Sequence, residues 1–510
     1  MSVVLEAIRQ TSTEDRRRTA SGWVVVVLLA QMAVAMVVAA VQQTPTIDEP
    51  VYVGAAVVQL QQHSLRYNPE HPPLGKLIMA TGLAFADVRL DPRFAGDQTE
   101  LGRHVLYESG NDPATLLLLA RLPMIVLTLL FGLVVFLFAR DLFGPVGGLV
   151  ALALYALSPD VIAHGSLATL DVPAAGFLLT SVWLLWRARS RAVHLPLAGL
   201  ALGAAVATKM SALAAVPVVL LLAAMSVQHA RLKAAALVGL IAVVVVWASY
   251  LAVDPLSPFP GLYLHGMGVQ FGLENRVWGG FLFGMHYEGS HWYYVPAALL
   301  VKTPLGALVL WIAGAVVMVR WQRTAAPYVL APTAVLLAAA MTGSRDLGVR
   351  YAIFMPMFLA VAAGAVVVVR QRWAHFVVAG LVAFVAMSSL RTFPYYLPYS
   401  NEAFGGPSQT HLHLHDSNVD WGQDLGRLAD RLRERHPGER IWLVYKGAGV
   451  PSYYGIDAAD PRNARPDEVR GLLVVSDTAI AKADDRLAAL VASSTPIDEV
   501  GHSITIFRRP

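Results

Sequence analysis

The chain has 510 residues, of which 56% are hydrophobic and only 15% charged. A soluble globular domain carries roughly 25% charged residues, so this composition leaves too little water-facing surface for a single soluble core and calls for a bilayer. The formal net charge is +4, with no basic stripe interleaved with aromatics to favour nucleic acid, and the absence of cysteine excludes disulfides and thiolate metal sites.

Apolar runs of about eighteen residues or more read as membrane helices, and Gly22–Val41, Ala114–Ala139, Ala234–Val253 and Ala352–Val369 qualify. Basic residues recur at Arg16–Arg18, Arg140, Arg187/Arg189/Arg191, Arg231/Lys233, Arg320/Arg323 and Arg370/Arg372. Lys and Arg in short loops mark the cytoplasmic face, so each interval between clusters holds one outward and one inward span. Two intervals also hold long outer loops, 42–113 and 254–293. The pattern predicts about eleven spans: 22–41, 114–139, 146–159, 172–186, 194–208, 212–228, 234–253, 294–319, 326–342, 352–369 and 374–390. The first follows a basic segment as a signal sequence does, but its length and lack of a clean cleavage site read as a retained helix. The fifth and sixth are short for a hydrocarbon core of about 30 Å and read as a hairpin around Thr208–Ser211.

The fold class predicted is an all-α polytopic membrane protein with a small C-terminal α/β domain on the outer face. The transmembrane domain covers 1–390 and the soluble domain 391–510. Within the latter, Trp421–Arg435 and Lys482–Val491 read as helices, and Ile441–Tyr445 and Leu472–Val475 as buried strands. No internal repeat supports a repeat-built transporter.

The outer loops carry the unusual residues. The chain has six lysines, and Lys76, Lys209 and Lys302 fall at outer-face or intramembrane positions, where an ammonium suits a phosphate or a carboxylate. Asp48 and Glu49 follow the first span, and Pro50 opens an amphipathic helix, about 50–62, expected to lie on the membrane surface; Asp48 as a plain N-cap is the alternative. The same loop continues Asn68-Pro-Glu-His71-Pro72-Pro73-Leu-Gly75-Lys76. Further on come Ala168-Thr-Leu-Asp171-Val-Pro, Val206-Ala-Thr-Lys209-Met-Ser211-Ala-Leu, Leu300-Val-Lys302-Thr-Pro304-Leu, Gly348-Val-Arg350-Tyr351 and Asp416-Ser-Asn418-Val-Asp420-Trp-Gly422-Gln-Asp424-Leu.

An acidic pair after the first span, followed by His-Pro-Pro-Leu-Gly-Lys and these later motifs in order, resembles the GT-C glycosyltransferases of family 39. That group includes protein O-mannosyltransferases and lipid A aminoarabinose transferases, and the match is to its bacterial branch. The resemblance implies an inverting glycosyltransferase in the bacterial plasma membrane, with the N-terminus cytoplasmic and the C-terminal domain outside. The donor would be a polyprenyl-phosphate sugar and the acceptor a hydroxyl of a protein, lipid or glycan; membrane lipids are the remaining partners.

On that resemblance Asp48 is the general base, and Glu49 orients either Asp48 or the acceptor. Lys76 and Arg350 are the leading cations for the donor phosphate, followed by Lys302 and Arg345, with Tyr351 adding a hydroxyl. A solvated pairing with Asp346 is the plain alternative for Arg345 and Arg350, and interfacial snorkelling the one for Lys302. His71, Asp171, Lys209 and His291 are further site candidates, with Asp171 as the expected partner of Lys209. His164 reads as a hydrogen-bonded interfacial histidine. The aromatic loop with Trp278, His286, Glu288, His291 and Trp292 reads first as a headgroup belt.

No cofactor is expected: Asp-x-Asp is absent, as is Trp-Trp-Asp-Tyr-Gly. His411, His413 and His415 alternate as on an edge strand, and a zinc site there lacks a second ligand cluster. A flippase for a lipid-linked sugar, or a GT-C polymerase or ligase acting on a glycan, are the competing functions. The flippase does not require the acidic pair or the outer domain.

Overall fold

The computed structural model describes the backbone of residues 2–510 and the side chains of 21–510. The side chains of Arg16, Arg17 and Arg18 lie outside the described residues. In chain order the membrane part comprises α1 (Ser2–Gln42), α2 (Glu49–Gln62), α3 (Leu74–Leu83), α4 (Gln98–Arg103), α5 (Pro113–Ala156), α6 (Pro159–Gly165), α7 (Asp171–Ala188), α8 (His194–Thr208), α9 (Val216–Ser226), α10 (Arg231–Leu251) and α11 (Gly261–Glu274). A hairpin, β1 (Gly279–Leu282) and β2 (Met285–Glu288), precedes α12 (Tyr294–Lys302), α13 (Leu305–Trp321), α14 (Ala326–Met341), α15 (Phe354–Ala363) and α16 (Arg372–Thr392).

Four stretches are long and apolar enough to cross a membrane unaided: Ser21–Gln42, Pro113–Ala156, Gln228–Leu251 and Arg372–Thr392. The bent pair α12–α13 makes a fifth, and several shorter apolar helices pack among them. Two expected spans, 114–139 and 146–159, belong to one element, α5, broken where Gly144 adopts φ 81°. The expected span 294–319 bends by 119°. Pro304 explains the break, because it forces Thr303 out of the helical region (φ −91°, ψ 132°).

The first outer loop departs from expectation in one respect. Helix α2 is present, but it is not a surface helix. Tyr52, Val53, Ala55, Ala56, Val57 and Val58 are all buried, in a core shared with α3, α4 and the N-terminal end of α5. Gly54 and Gly102 allow α2 and α4 to touch backbone to backbone.

The C-terminal domain contains α17 (Leu425–Arg435), β3 (Ile441–Val444), β4 (Ala458–Ala459), β5 (Gly471–Ser476), α18 (Asp477–Ala481), α19 (Asp485–Ala492), β6 (Thr495–Val500) and β7 (Ile504–Arg509). The strands form one sheet in the order β4-β3-β5-β7-β6, parallel across β4, β3 and β5 and antiparallel beyond. Leu425, Leu428 and Leu432 of α17 are buried with Leu472 and Val474, while Leu487 and Leu490 are buried with Leu473 and Val475. Each such leucine contributes about 1.5–3 kcal/mol. The histidine run does not form the expected strand: Pro407–Leu412 is a 3-10 helix, with His411 beside Asp477, His413 against Phe283 and Phe404, and His415 near Phe281.

Candidate active site

Burial separates the acidic pair that follows α1. Glu49 is completely enclosed and forms a bidentate pair with Arg121 of α5, Nε to Oε1 at 2.7 Å and Nη2 to Oε2 at 2.6 Å. Thr46 donates to Glu49 through both N and Oγ1, and the Ala168 amide donates at 2.8 Å. Arg121 also donates to the carbonyls of Ala40, Gln43 and Thr44. Burial alone would raise the Glu49 pKa, but Arg121 and these amides hold it below its ordinary value. Glu49 is therefore an anchor that ties the acidic loop to α5 and to the 167–170 connection, and it is closed to substrate. Arg121 lies inside the second predicted span, so the rule that singles out intramembrane lysines applies to it equally.

Asp48 does not cap α2. Its carboxylate is a quarter exposed and accepts from Arg350 Nη1 at 2.5 Å. The Arg350 guanidinium lies 4.4 Å from the ring centroid of Trp421 and 5.0 Å from that of Tyr351, with its buried Nε unpartnered. Lys209 Nζ is 5.5 Å from the Tyr351 centroid and Arg345 Cζ is 5.8 Å from it, so three cations surround one phenol. Lys209 pairs with Asp171 at 2.5 Å as expected, and Asp171 Oδ2 is left buried and unpartnered. Arg345 pairs with Glu274 of α11, not with Asp346.

These groups head a cavity of about 600 Å³. Asp171, Lys209, Ser211, Arg345, Arg350 and Tyr351 form its polar end, and Leu178, Leu213, Leu336, Ala340 and Phe354 line its apolar extension among α7, α14 and α15. Met267, Gln270, Phe271 and Glu274 of α11 form one wall.

Two expected phosphate ligands do not reach this cavity. Lys76 directs its ammonium to the Asn68 carbonyl and side chain and to the His71 carbonyl, at 2.9, 3.0 and 2.6 Å. All three N–H bonds are used in closing the Asn68–Lys76 turn. Lys302, also fully buried, bonds the carbonyls of Leu397 and Asn418 at 2.6 and 2.9 Å and lies 3.4 Å from Asp160. It is neither a snorkelling anchor nor part of the cavity wall, and it fastens the C-terminal segment to the membrane helices. His71 lines a separate cavity of about 180 Å³. His291 stacks between Tyr287 and Tyr293 (centroids 4.1 and 5.0 Å), and its amide donates to Asp346. His164 is buried without hydrogen-bond partners on either nitrogen, 6.0 Å from Trp421, in place of the hydrogen-bonded interfacial residue expected.

Trp421 and its neighbours bring the C-terminal motif to the acidic loop. Ile47 N donates to Trp421 O, Thr44 N to Gln423 O and Thr44 Oγ1 to Gly422 O, at 3.0, 3.0 and 3.1 Å. Residues 416–424 therefore roof the Asp48–Arg350 pair. Among the described residues no group of three His, Asp or Glu side chains is arranged to hold a metal ion.

A family profile described as dolichyl-phosphate-mannose-protein mannosyltransferase matches residues 25–256. No curated protein sequence matches the chain. Among solved structures, ArnT from Cupriavidus metallidurans in the apo state is similar at 16% identity and TM-score 0.52, covering 96% of this chain and 98% of that one. The same protein bound to undecaprenyl phosphate gives 14% and 0.49 over the same shares. The Archaeoglobus fulgidus oligosaccharyltransferase in complex with Zn and sulfate gives 12% and 0.45, over 92% of this chain and 71% of that one. At these identities the likeness is one of fold. The mannosyltransferase profile thus covers residues 25–256, and the fold of apo ArnT extends over nearly the whole chain.

Proposed function

We propose that the protein transfers a sugar from a polyprenyl-phosphate donor to an acceptor hydroxyl, with inversion, at the outer face of a bacterial plasma membrane. The observation that carries this reading is the cavity's two-part chemistry. A cationic end of Lys209, Arg345 and Arg350 suits a phosphate, and an apolar extension between membrane helices suits an isoprenoid chain. The family description, which names a dolichyl-phosphate sugar, supports the same donor class.

On this reading the leaving phosphate is stabilised by Arg350, Lys209 and Arg345, with the Tyr351 hydroxyl beside them. Asp48 takes the acceptor proton as the nucleophilic oxygen attacks the anomeric carbon and the carbon–phosphate-oxygen bond breaks. Asp48 is paired with Arg350 in this structure, so a donor phosphate that engages Arg350 frees the Asp48 carboxylate for the acceptor hydroxyl.

The test is direct binding of undecaprenyl phosphate to purified protein, followed by native mass spectrometry. Arg350→Gln and Lys209→Gln should each weaken binding by about tenfold to a hundredfold, the effect of one charge-assisted hydrogen bond. Unchanged binding in both variants would remove the cavity's polar end as the phosphate site.

A further inference from the structure

The C-terminal domain carries a second cationic cluster, away from the donor cavity. In the sheet, β3 and β5 are parallel neighbours. The chain leaves β3 towards β4 on one side and leaves β5 towards β7 and β6 on the other. Adjacent parallel strands whose connections diverge in this way open a crevice outside their carboxyl ends, the usual ligand position in open α/β sheets. Lys446 follows β3 and Lys482 follows α18, which leaves β5 directly. Two of the chain's six lysines thus stand at this crevice.

Asp416 N donates to Thr478 Oγ1 of α18 at 2.9 Å, which brings the 415–416 step to the same end of β5 as the two lysines. Asp416 is the nearest carboxylate, 3.8 Å from Lys482 Nζ. Lys446 uses its backbone amide on Ser476 Oγ, while its ammonium has no ion-pair partner among the described residues. His415, next to Asp416 in the chain, is fully buried, and neither of its ring nitrogens has a hydrogen-bond partner. Burial, with Lys482, Lys446 and His286 nearby, pushes His415 down to about 2, so it is a neutral imidazole with one free N–H. The membrane domain closes the other side. Phe281 of β1 lies 6.0 Å from the His415 ring and 5.2 Å from that of His286, and Phe283 N donates to His413 O.

We infer that Lys446, Lys482 and His415 form an anion-binding subsite for a phosphoryl or carboxylate group, between the C-terminal sheet and the β1–β2 hairpin. An anion there supplies the counter-charge that Lys446 lacks and takes the unpartnered imidazole N–H. Asp416 supplies one negative charge against two ammonium groups and lies beyond direct hydrogen-bond distance. From Asp416 to Trp421 the chain reaches at most about 18 Å, at roughly 3.6 Å per residue, so the subsite is close enough to the Asp48–Arg350 pair to hold a second group of one bound molecule. The inference does not depend on the glycosyl-transfer reading.

Lysine acylation footprinting tests it on the full chain. Lys76, Lys209 and Lys302 are buried, leaving Lys233, Lys446 and Lys482 as the reactive positions and Lys233 as internal control. Acylation requires the neutral amine, and a bound anion stabilises the ammonium. Saturating inorganic phosphate should therefore slow acylation of Lys446 and Lys482 by roughly tenfold, with Lys233 unchanged. A parallel arm without phosphate compares phosphatidylglycerol with phosphatidylcholine nanodiscs. Protection by phosphatidylglycerol identifies a lipid headgroup as the anion source, and protection by phosphate alone identifies a soluble one. Lys446→Gln should abolish protection at Lys482. No protection in either arm, equal slowing at Lys233, or full protection of Lys482 in Lys446→Gln would overturn the subsite.

Discussion

At the residue scale, Asp48 and Glu49 are chain neighbours with opposite surroundings. Glu49 is enclosed with Arg121, so Arg121→Leu leaves a carboxylate buried without its counter-ion. Breaking such a pair on one side costs about 3–5 kcal/mol. The expected outcome is a marked fall in the melting temperature of the detergent-solubilised protein. Asp48→Asn, at a quarter-exposed position, should leave the melt close to that of the unsubstituted chain, which separates a chemical defect from a folding one.

The same scale shows which residues the sequence could reveal. Lys209, Arg345 and Arg350 stand out because charges beside apolar runs require compensation. Lys76 and Lys302 stand out for the same reason, yet carbonyl groups of the protein itself compensate them, and spacing does not distinguish a carbonyl cage from a phosphate. Trp421, Glu274 and His164 carry no comparable signal. Their importance arises from contacts between segments far apart in the chain, such as Trp421 against Arg350.

At the element scale, α11 forms a wall of the cavity and rests on the first outer loop. A Cβ at Gly266 would approach the Pro69 carbonyl oxygen to 2.1 Å. Gly266→Val should lift α11 from this loop and weaken undecaprenyl phosphate binding while the C-terminal domain stays folded, measured by binding and by limited proteolysis together. The loop leading into α17 yields a pH prediction. Burial, reinforced by Asp477, raises Asp420 from 3.8 to about 8. The folded state thus holds a proton that the unfolded state releases at much lower pH. The associated stability is complete below about pH 4 and is lost as pH rises through about 8. Melting temperature should fall across that window, and Asp420→Asn should flatten the slope.

These elements were unequally legible. The strands β3 and β5 and helix α17 follow from apolar runs and from leucines on one helical face. Helix α2 was predicted in place but not in environment, because its small and apolar residues suit a bilayer surface and a protein interior equally. The edge strand β6 (Thr495–Val500) is largely exposed and has no strong apolar run. The β1–β2 hairpin is hidden in an aromatic loop that reads first as a headgroup belt. The histidine alternation misled because Pro407 opens a 3-10 helix where period two suggested a strand.

At the scale of the whole molecule, the C-terminal domain is not a detachable appendage. Residues 416–424 roof the Asp48–Arg350 pair, and Lys302 fastens the same segment through Asn418. Lys302→Met would strand Asp160 and two carbonyl groups in the interior. It should expose the 393–424 segment to protease and depress activity together, even though Lys302 touches no part of the cavity. The charge pattern and the resemblance together anticipated a helical membrane domain followed by a small C-terminal sheet domain. They did not reveal that the roof comes from the C-terminal motif, since no local property of that motif specifies its docking partner.

The central claim is that Asp48 performs proton abstraction beside a cavity, headed by its partner Arg350, that binds a polyprenyl-phosphate sugar. The most direct measurement is sugar transfer from radiolabelled polyprenyl-phosphate mannose to candidate acceptors, comparing the unsubstituted protein with Asp48→Asn. Loss of transfer by about 10²–10⁴-fold with donor binding retained is the predicted result; transfer that survives Asp48→Asn unchanged would contradict it.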